Sequence, residues 1–225
     1  MAPKIAITGA NGHLGQRLIE KLGPEHVVAL VRSARAAASL GHWNGLDVRT
    51  VDYADANSLG DAMCGVDVLV HLVGIIKESA ANSFETAHIA SSQAVVEAMD
   101  EAKVKRLVYL SLVGASVQSS NPCFQSRGRA EAILAGAGES RLLLRIPMVL
   151  GEGDYASFSL SRQAQRAVNF VFRAASLEQP IYGGDVIDAL MSGVNGNGEG
   201  VLSLAGPESL SRKHLITAKR FRARK

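Results

Sequence analysis

Short apolar runs alternate with amphipathic stretches from residue 4 to residue 146, and that alternation predicts most of the architecture. Residues 4–7 (Lys-Ile-Ala-Ile) predict a strand, and Leu14, Leu18, Ile19 and Leu22 follow at helical spacing. Further runs at 27–31, 48–51, 66–72, 106–110 and 141–146 predict strands, with helices over 34–40, 54–63, 84–102 and 130–134 between them. The run 66–72 (Val-Asp-Val-Leu-Val-His-Leu) is nearly continuous, as expected of a strand buried on both faces. This βαβ rhythm predicts an α/β fold with a doubly wound parallel sheet and right-handed crossovers. Ligands in such folds sit beyond the carboxyl ends of the strands.

After Pro147 the rhythm breaks. Gly151-Glu152-Gly153-Asp154 predicts a turn, 159–175 a helix, 180–182 and 201–204 short strands, and 186–191 a short helix. The glycine-rich stretch 193–200 predicts a flexible connector. The expected organisation is a sheet domain over 1–150, a small cap over 151–211 on the ligand crevice, and a basic tail over 212–225.

The junction between the first strand and the first helix carries the chemistry. Thr8-Gly9-Ala10-Asn11-Gly12-His13-Leu14-Gly15 places three glycines between them. In such a junction the first glycine permits the tight turn and the second lets backbone approach a pyrophosphate. The third lets the helix pack closely. Free N–H groups and the positive end of the helix dipole then face the phosphates. The competing reading is an ordinary glycine turn.

Composition changes the picture little, and charge changes it more. The 225 residues are 47% hydrophobic and 20% charged, which suits a globular enzyme-like domain. No apolar run reaches the roughly 18 residues of a membrane span, and the start of the chain enters the first strand without a signal-peptide pattern. Cys64 and Cys123 form no CxxC pair, which points to a reducing, cytoplasmic compartment. The histidines His13, His26, His42, His71, His88 and His214 lack metal-ligand spacing, so no metal site is expected. The net charge is +3, yet seven basic residues and no acid lie from Arg212 onward, leaving residues 1–211 at −4. A solvated, frayed terminus explains such a tail; contact with RNA or anionic lipid is the alternative.

Several segments together resemble the short-chain dehydrogenase/reductase superfamily, in its extended and atypical branches. Thr8 to Gly15 matches the atypical TGxxGxxG pattern, and Asp52, with Tyr53 after it, resembles the family's adenine-contacting aspartate. Leu72-Val73-Gly74-Ile75-Ile76-Lys77-Glu78 is similar to the segment after the fourth strand in relatives of the NADPH-binding accessory subunit of respiratory complex I. Arg145-Ile146-Pro147 through Gly151-Glu152-Gly153-Asp154 resembles the stretch near the nicotinamide. Gln179-Pro180-Ile181-Tyr182 and Leu204-Ala205-Gly206-Pro207-Glu208 resemble later family elements. The resemblance implies a Rossmann fold and a nicotinamide dinucleotide held by Thr8, Gly9, Asn11, Gly12, His13, Leu14, Gly15, Arg32, Asp52, Tyr53, Val73, Gly74 and Pro147. NADP is expected over NAD, because Val31-Arg32-Ser33-Ala34-Arg35 has no carboxylate for a ribose 2′-hydroxyl and offers guanidinium groups for a 2′-phosphate.

The chain departs from the family at its catalytic pair, YxxxK. Cys123 stands at the tyrosine position and Arg127 at the lysine position, and four residues beyond Tyr53, Tyr109, Tyr155 and Tyr182 lie Asn57, Val113, Ser159 and Val186. None is a cation. Ser111 matches the catalytic serine, and Cys123 reads as a small half-buried filler or, alternatively, as a nucleophile lowered in pKa by Arg127. Three functions follow as expectations. One is a cofactor-binding assembly, structural or regulatory factor with a protein partner. Another is an oxidoreductase or epimerase-like enzyme with an unusual acid/base. The third is an RNA- or membrane-associated factor acting through the tail, with a place peripheral to the inner membrane as the alternative to the cytoplasm.

Overall fold

A computed structural model describes residues 3–165, 171 and 173–217. The elements run β1 (Ile5–Thr8), α1 (His13–Leu22), β2 (Val27–Val31), α2 (Ala34–Ala38), β3 (Asp47–Thr50), α3 (Ala56–Ala62) and β4 (Val68–His71). They continue as α4 (Ser91–Ala102), β5 (Arg106–Leu112), α5 (Pro122–Leu134), β6 (Ser140–Ile146), β7 (Val149–Leu150) and α6 (Tyr155–Ala164). The last are β8 (Leu177–Glu178), β9 (Ile181–Tyr182), α7 (Gly183–Val194), β10 (Gly200–Ser203), β11 (Leu210–Ser211) and α8 (Arg212–Thr217).

Seven strands pair in parallel in the order β10-β6-β5-β4-β1-β2-β3. This is the Rossmann order with one strand added beyond β6. β1, β2 and β4 are buried at every residue, so alternate side chains feed two cores. Ile5, Ile7, Ala29, Val31 and Val70 meet Leu18 and Ile19 of α1 and Val186, Ile187 and Leu190 of α7 on one face. Ala6, Val28, Leu30, Leu69, Leu107 and Tyr109 meet Leu59, Val95, Met99 and Leu134 of α3, α4 and α5 on the other.

Beyond β6 the expectations need correction. The helix expected over 159–175 is α6, which starts earlier because Asp154 caps it through Ser157 N; residues 173–175 form a turn, and 166–170 and 172 lie outside the described residues. The short helix expected at 186–191 runs three residues further at each end as α7. The connector 193–200 is not loose. Buried Arg106 donates to Gly193 O (2.6 Å), Asn197 O (3.1 Å) and Gly198 O (2.8 Å). The start of the tail is not frayed, since α8 buries Leu215 and Ile216; residues 218–225 lie outside the described residues. The stretch expected as a cap thus divides: α7 and β10 complete the sheet layers, while β8 pairs with β11 and α6 packs against α8. Among the described residues no helix is long and apolar enough to cross a membrane.

Candidate functional site

The residues after β1, β2, β3, β4 and β6 converge at one end of the sheet. Gly9 turns the chain with φ +68°, and a Cβ there would press on the backbone of Leu72 and Val73 at 3.3–3.4 Å. Gly12 is the N-cap of the ten-residue α1 and has no side chain to bond the helix's first N–H groups. A Cβ at Gly15 would lie 2.5 Å from Ala10 O, so α1 closes onto the turn only with glycine there. Asn11 O accepts from Gln16 Nε2 (3.0 Å), His13 and Leu14 open the helix, and Leu14 packs on the core.

Two expected contact residues take bracing places. Thr8 is fully buried, its hydroxyl 2.7 Å from His71 Nδ1, so its side chain fixes β1 to β4 and does not face the crevice. The Tyr53 hydroxyl accepts from Gly9 N (2.8 Å) and donates to Leu30 O (2.7 Å), which locks the glycine turn to β2; burial pushes this phenol up to about 12. Asp52 accepts from Ala54 N at 2.9 Å. Arg32 is exposed just past β2 and bonds Asn82 Oδ1. Gly74 is exposed after β4, and Pro147 follows β6.

The three positions expected to be catalytic, Ser111, Cys123 and Arg127, are each engaged within the protein. Ser111, 1% exposed, donates to Glu131 Oε1 at 2.5 Å, and Glu131 pairs with Arg145 through Nε (3.0 Å) and Nη2 (2.5 Å). Arg127 is buried; its Nη1 donates to the Tyr109 hydroxyl (2.8 Å), Leu110 O (3.1 Å) and Val73 O (3.4 Å). Its Nη2 lies where a side chain at Gly74 would stand. Cys123 sits in the first turn of α5, which Asn121 caps, and its Sγ is 3.7 Å from Ile75 O. Burial pushes the Cys123 thiol up and outweighs the opposing charge of Arg127, so the nucleophile alternative loses its thiolate.

Sequence reasoning missed His88, Glu131 and Tyr109. His88 Nδ1 is 2.8 Å from Ser126 Oγ, while its Nε2 accepts from Ile75 N at 3.1 Å, so both ring nitrogens are spent beside Cys123. Burial, then the charge of Arg127, lowers His88 to about 3, and the same two causes lower His71 to about 3. Glu131 lies four residues after Arg127 on one helix, yet its ion-pair partner is Arg145, 14 residues on, so local spacing did not point to its role.

These residues fit a dinucleotide: an uncapped helix start at Gly12, a turn no side chain fills, and a guanidinium beside exposed Gly74. A model of the family described as NAD(P)H-binding matches residues 9–142. The chain is 28% identical over 165 residues to the ceramide reductase of Caulobacter vibrioides, covering 72% of this chain and 51% of that protein. It is 25% identical over 222 residues to the mitochondrial NADH dehydrogenase (ubiquinone) 1 alpha subcomplex subunit 9 of Arabidopsis thaliana, covering 93% and 55%. The chain thus spans about half the length of these relatives. Among solved structures, WbmG of Bordetella bronchiseptica in complex with NAD and UDP matches with TM-score 0.78 at 21% identity, over 96% of this chain and 76% of that one. The UDP-glucose 4-epimerase of Thermus thermophilus in complex with NAD matches with TM-score 0.77 at 18% identity, over 95% and 81%. At those identities the likeness is one of fold.

Proposed function

This chain belongs to the NAD(P)H-binding family, and on that ground we propose that it is a dinucleotide-binding assembly, structural or regulatory factor with little ordinary reductase activity. NADP(H) is the preferred cofactor in this reading. Gly12 and the first turn of α1 would hold the pyrophosphate, and Arg32 the 2′-phosphate. The similarity to a subunit of NADH dehydrogenase over 93% of the chain supports a role in an assembly.

One observation carries the reading: no group at the catalytic positions is ready to give up a proton. When bound, a nicotinamide supplies or accepts hydride; reduction of a carbonyl also needs an acid within hydrogen-bond reach. The Ser111 hydroxyl is directed to Glu131, the Cys123 thiol to Ile75 O with burial pushing its pKa up, and the Arg127 guanidinium to Tyr109, Leu110 and Val73. The second reading, an oxidoreductase or epimerase-like enzyme with an unusual acid/base, draws support from the likeness to a ceramide reductase.

Turnover separates the two. NADPH oxidation with aldehydes, ketones and nucleotide sugars should stay near background, since general acid/base help is worth about 10²–10⁴-fold. The double change Cys123→Tyr, Arg127→Lys should raise it. Robust wild-type turnover that survives Cys123→Ala and is lost in Ser111→Ala would defeat the non-catalytic reading. The cofactor's place is tested separately: Gly12→Val sets a branched side chain where a Cβ is already 3.1 Å from Gly9 O. NADPH affinity should fall at least about tenfold, and an unchanged Kd would move the phosphate site elsewhere.

A further inference from the structure

A cavity of about 550 Å³ opens at the N-terminus of α5, one helical turn from Arg127. Its size lies within the range of small-molecule sites. The body of its lining is apolar: Ile76, Phe84, Leu112, Pro122, Phe124 and the thiol of Cys123. Ile76 is 72% exposed, so the apolar surface reaches outward to the rim.

The polar groups of the lining are few, and two are committed to the protein. Glu78 Oε1 accepts from Phe84 N at 2.7 Å, which fixes the wall to the loop before it. Asn121 Oδ1 accepts from Cys123 N (2.9 Å) and Phe124 N (3.4 Å), which caps α5. Lys77 is left as the lining cation, with no ion pair among the described residues. A pyrophosphate needs several cations or free N–H donors. One exposed lysine beside a glutamate is a poor match, whereas an apolar body that removes Phe84, Leu112 and Phe124 from water is a good one.

We propose that this cavity binds an uncharged ligand with an aliphatic or aromatic body and a single carbonyl-type acceptor, and discriminates against nucleotide sugars. The proposal rests on the reading of the neighbouring crevice as a dinucleotide site, and it concerns binding whether or not turnover follows. Lys77 would meet the acceptor at the mouth, while the six apolar side chains would line the open cleft along the body.

The test is calorimetric titration of the chain with 2-nonanone and with UDP-glucose, each with and without saturating NADPH. The ketone should bind saturably, at least tenfold more tightly than UDP-glucose. Ile76→Asp, at an exposed rim position, and Leu112→Asp, deeper in the wall, should each weaken the ketone at least tenfold. Ile76→Asp carries little risk to folding and keeps the comparison usable if Leu112→Asp does not fold. Equal or tighter UDP-glucose binding, no ketone binding, or ketone binding indifferent to Ile76→Asp would overturn the proposal. Absence of NADPH binding would instead sink the dinucleotide reading, and the cofactor-free titrations would still report on the cavity.

Discussion

Arg127 shows how much a single buried guanidinium can tie together at the end of the sheet. A lysine there would present a compact ammonium, whereas the guanidinium spreads its donors over Val73 O, Leu110 O and the Tyr109 hydroxyl and lies against Gly74. It thereby ties the ends of β4 and β5 to α5 and adds a buried positive charge that disfavours protonation of His71 and His88. Arg32 is the opposite kind of arginine: exposed, and held by the neutral amide of Asn82, a partner easily given up. At the end of β2 it stands where a carboxylate would select NAD. Arg32→Ala should therefore weaken NADPH by roughly 10- to 100-fold, the worth of a charge-assisted hydrogen bond of roughly 1.5–3 kcal/mol, and leave NADH unchanged. Parallel fluorescence titrations of the two cofactors read this directly. Equal wild-type affinities would end the case for NADP.

At the scale of elements, Arg106 joins the first residue of β5 to the end of α7. Its guanidinium also donates to Ser140 Oγ at 2.8 Å, besides the carbonyls of Gly193, Asn197 and Gly198. Arg106→Met keeps the apolar stem and removes four guanidinium hydrogen bonds. The Gly193 carbonyl keeps a second donor in Gly196 N, and the exposed Asn197 and Gly198 carbonyls can turn to water, so each bond is worth about 0.5–1 kcal/mol net. The urea midpoint should drop by the equivalent of roughly 2–4 kcal/mol with NADPH affinity intact; an unchanged midpoint would show the connector held by other means. That clamp was invisible in sequence because its carbonyl partners lie 87–92 residues from Arg106 and Ser140 lies 34 away. The inner strands were legible because burial on both faces writes a continuous apolar run, as in β2 and β4. The first turns of α5 were not, since Cys123 to Arg129 lacks helical periodicity; Asn121 as cap and Pro122 at the first position were the available signals. The glycine turn was legible for the same local reason, a motif confined to eight residues. The couplings Ser111–Glu131 and His88–Ser126 span 20 and 38 residues, and only the fold brings them together.

For the whole molecule, two enclosed imidazoles set a stability that depends on pH. His71 lies between Thr8 and the Tyr109 ring, and His88 between Phe84 and Ser126, both 1% exposed. Their folded pKa values of about 3 lie below the unfolded value of about 6.5, with burial the larger cause and the Arg127 charge the second. Between those limits the unfolded chain takes up protons that the folded chain refuses, so stability rises with pH and is lost as pH falls from about 6.5 toward 3. Each group contributes up to about 1.4 kcal/mol per pH unit, so the pair should give a slope near 2.7 across that window. Urea midpoints measured from pH 7.5 to pH 4.5 should fall progressively, and His88→Gln should roughly halve the slope whatever it does to the midpoint at neutral pH. A midpoint that stays flat from pH 7 to pH 5 would mean that the folded protein protonates both rings without penalty. That outcome would contradict the close packing of β4, β5 and α5 around Arg127, and with it the bracing role assigned to the arginine.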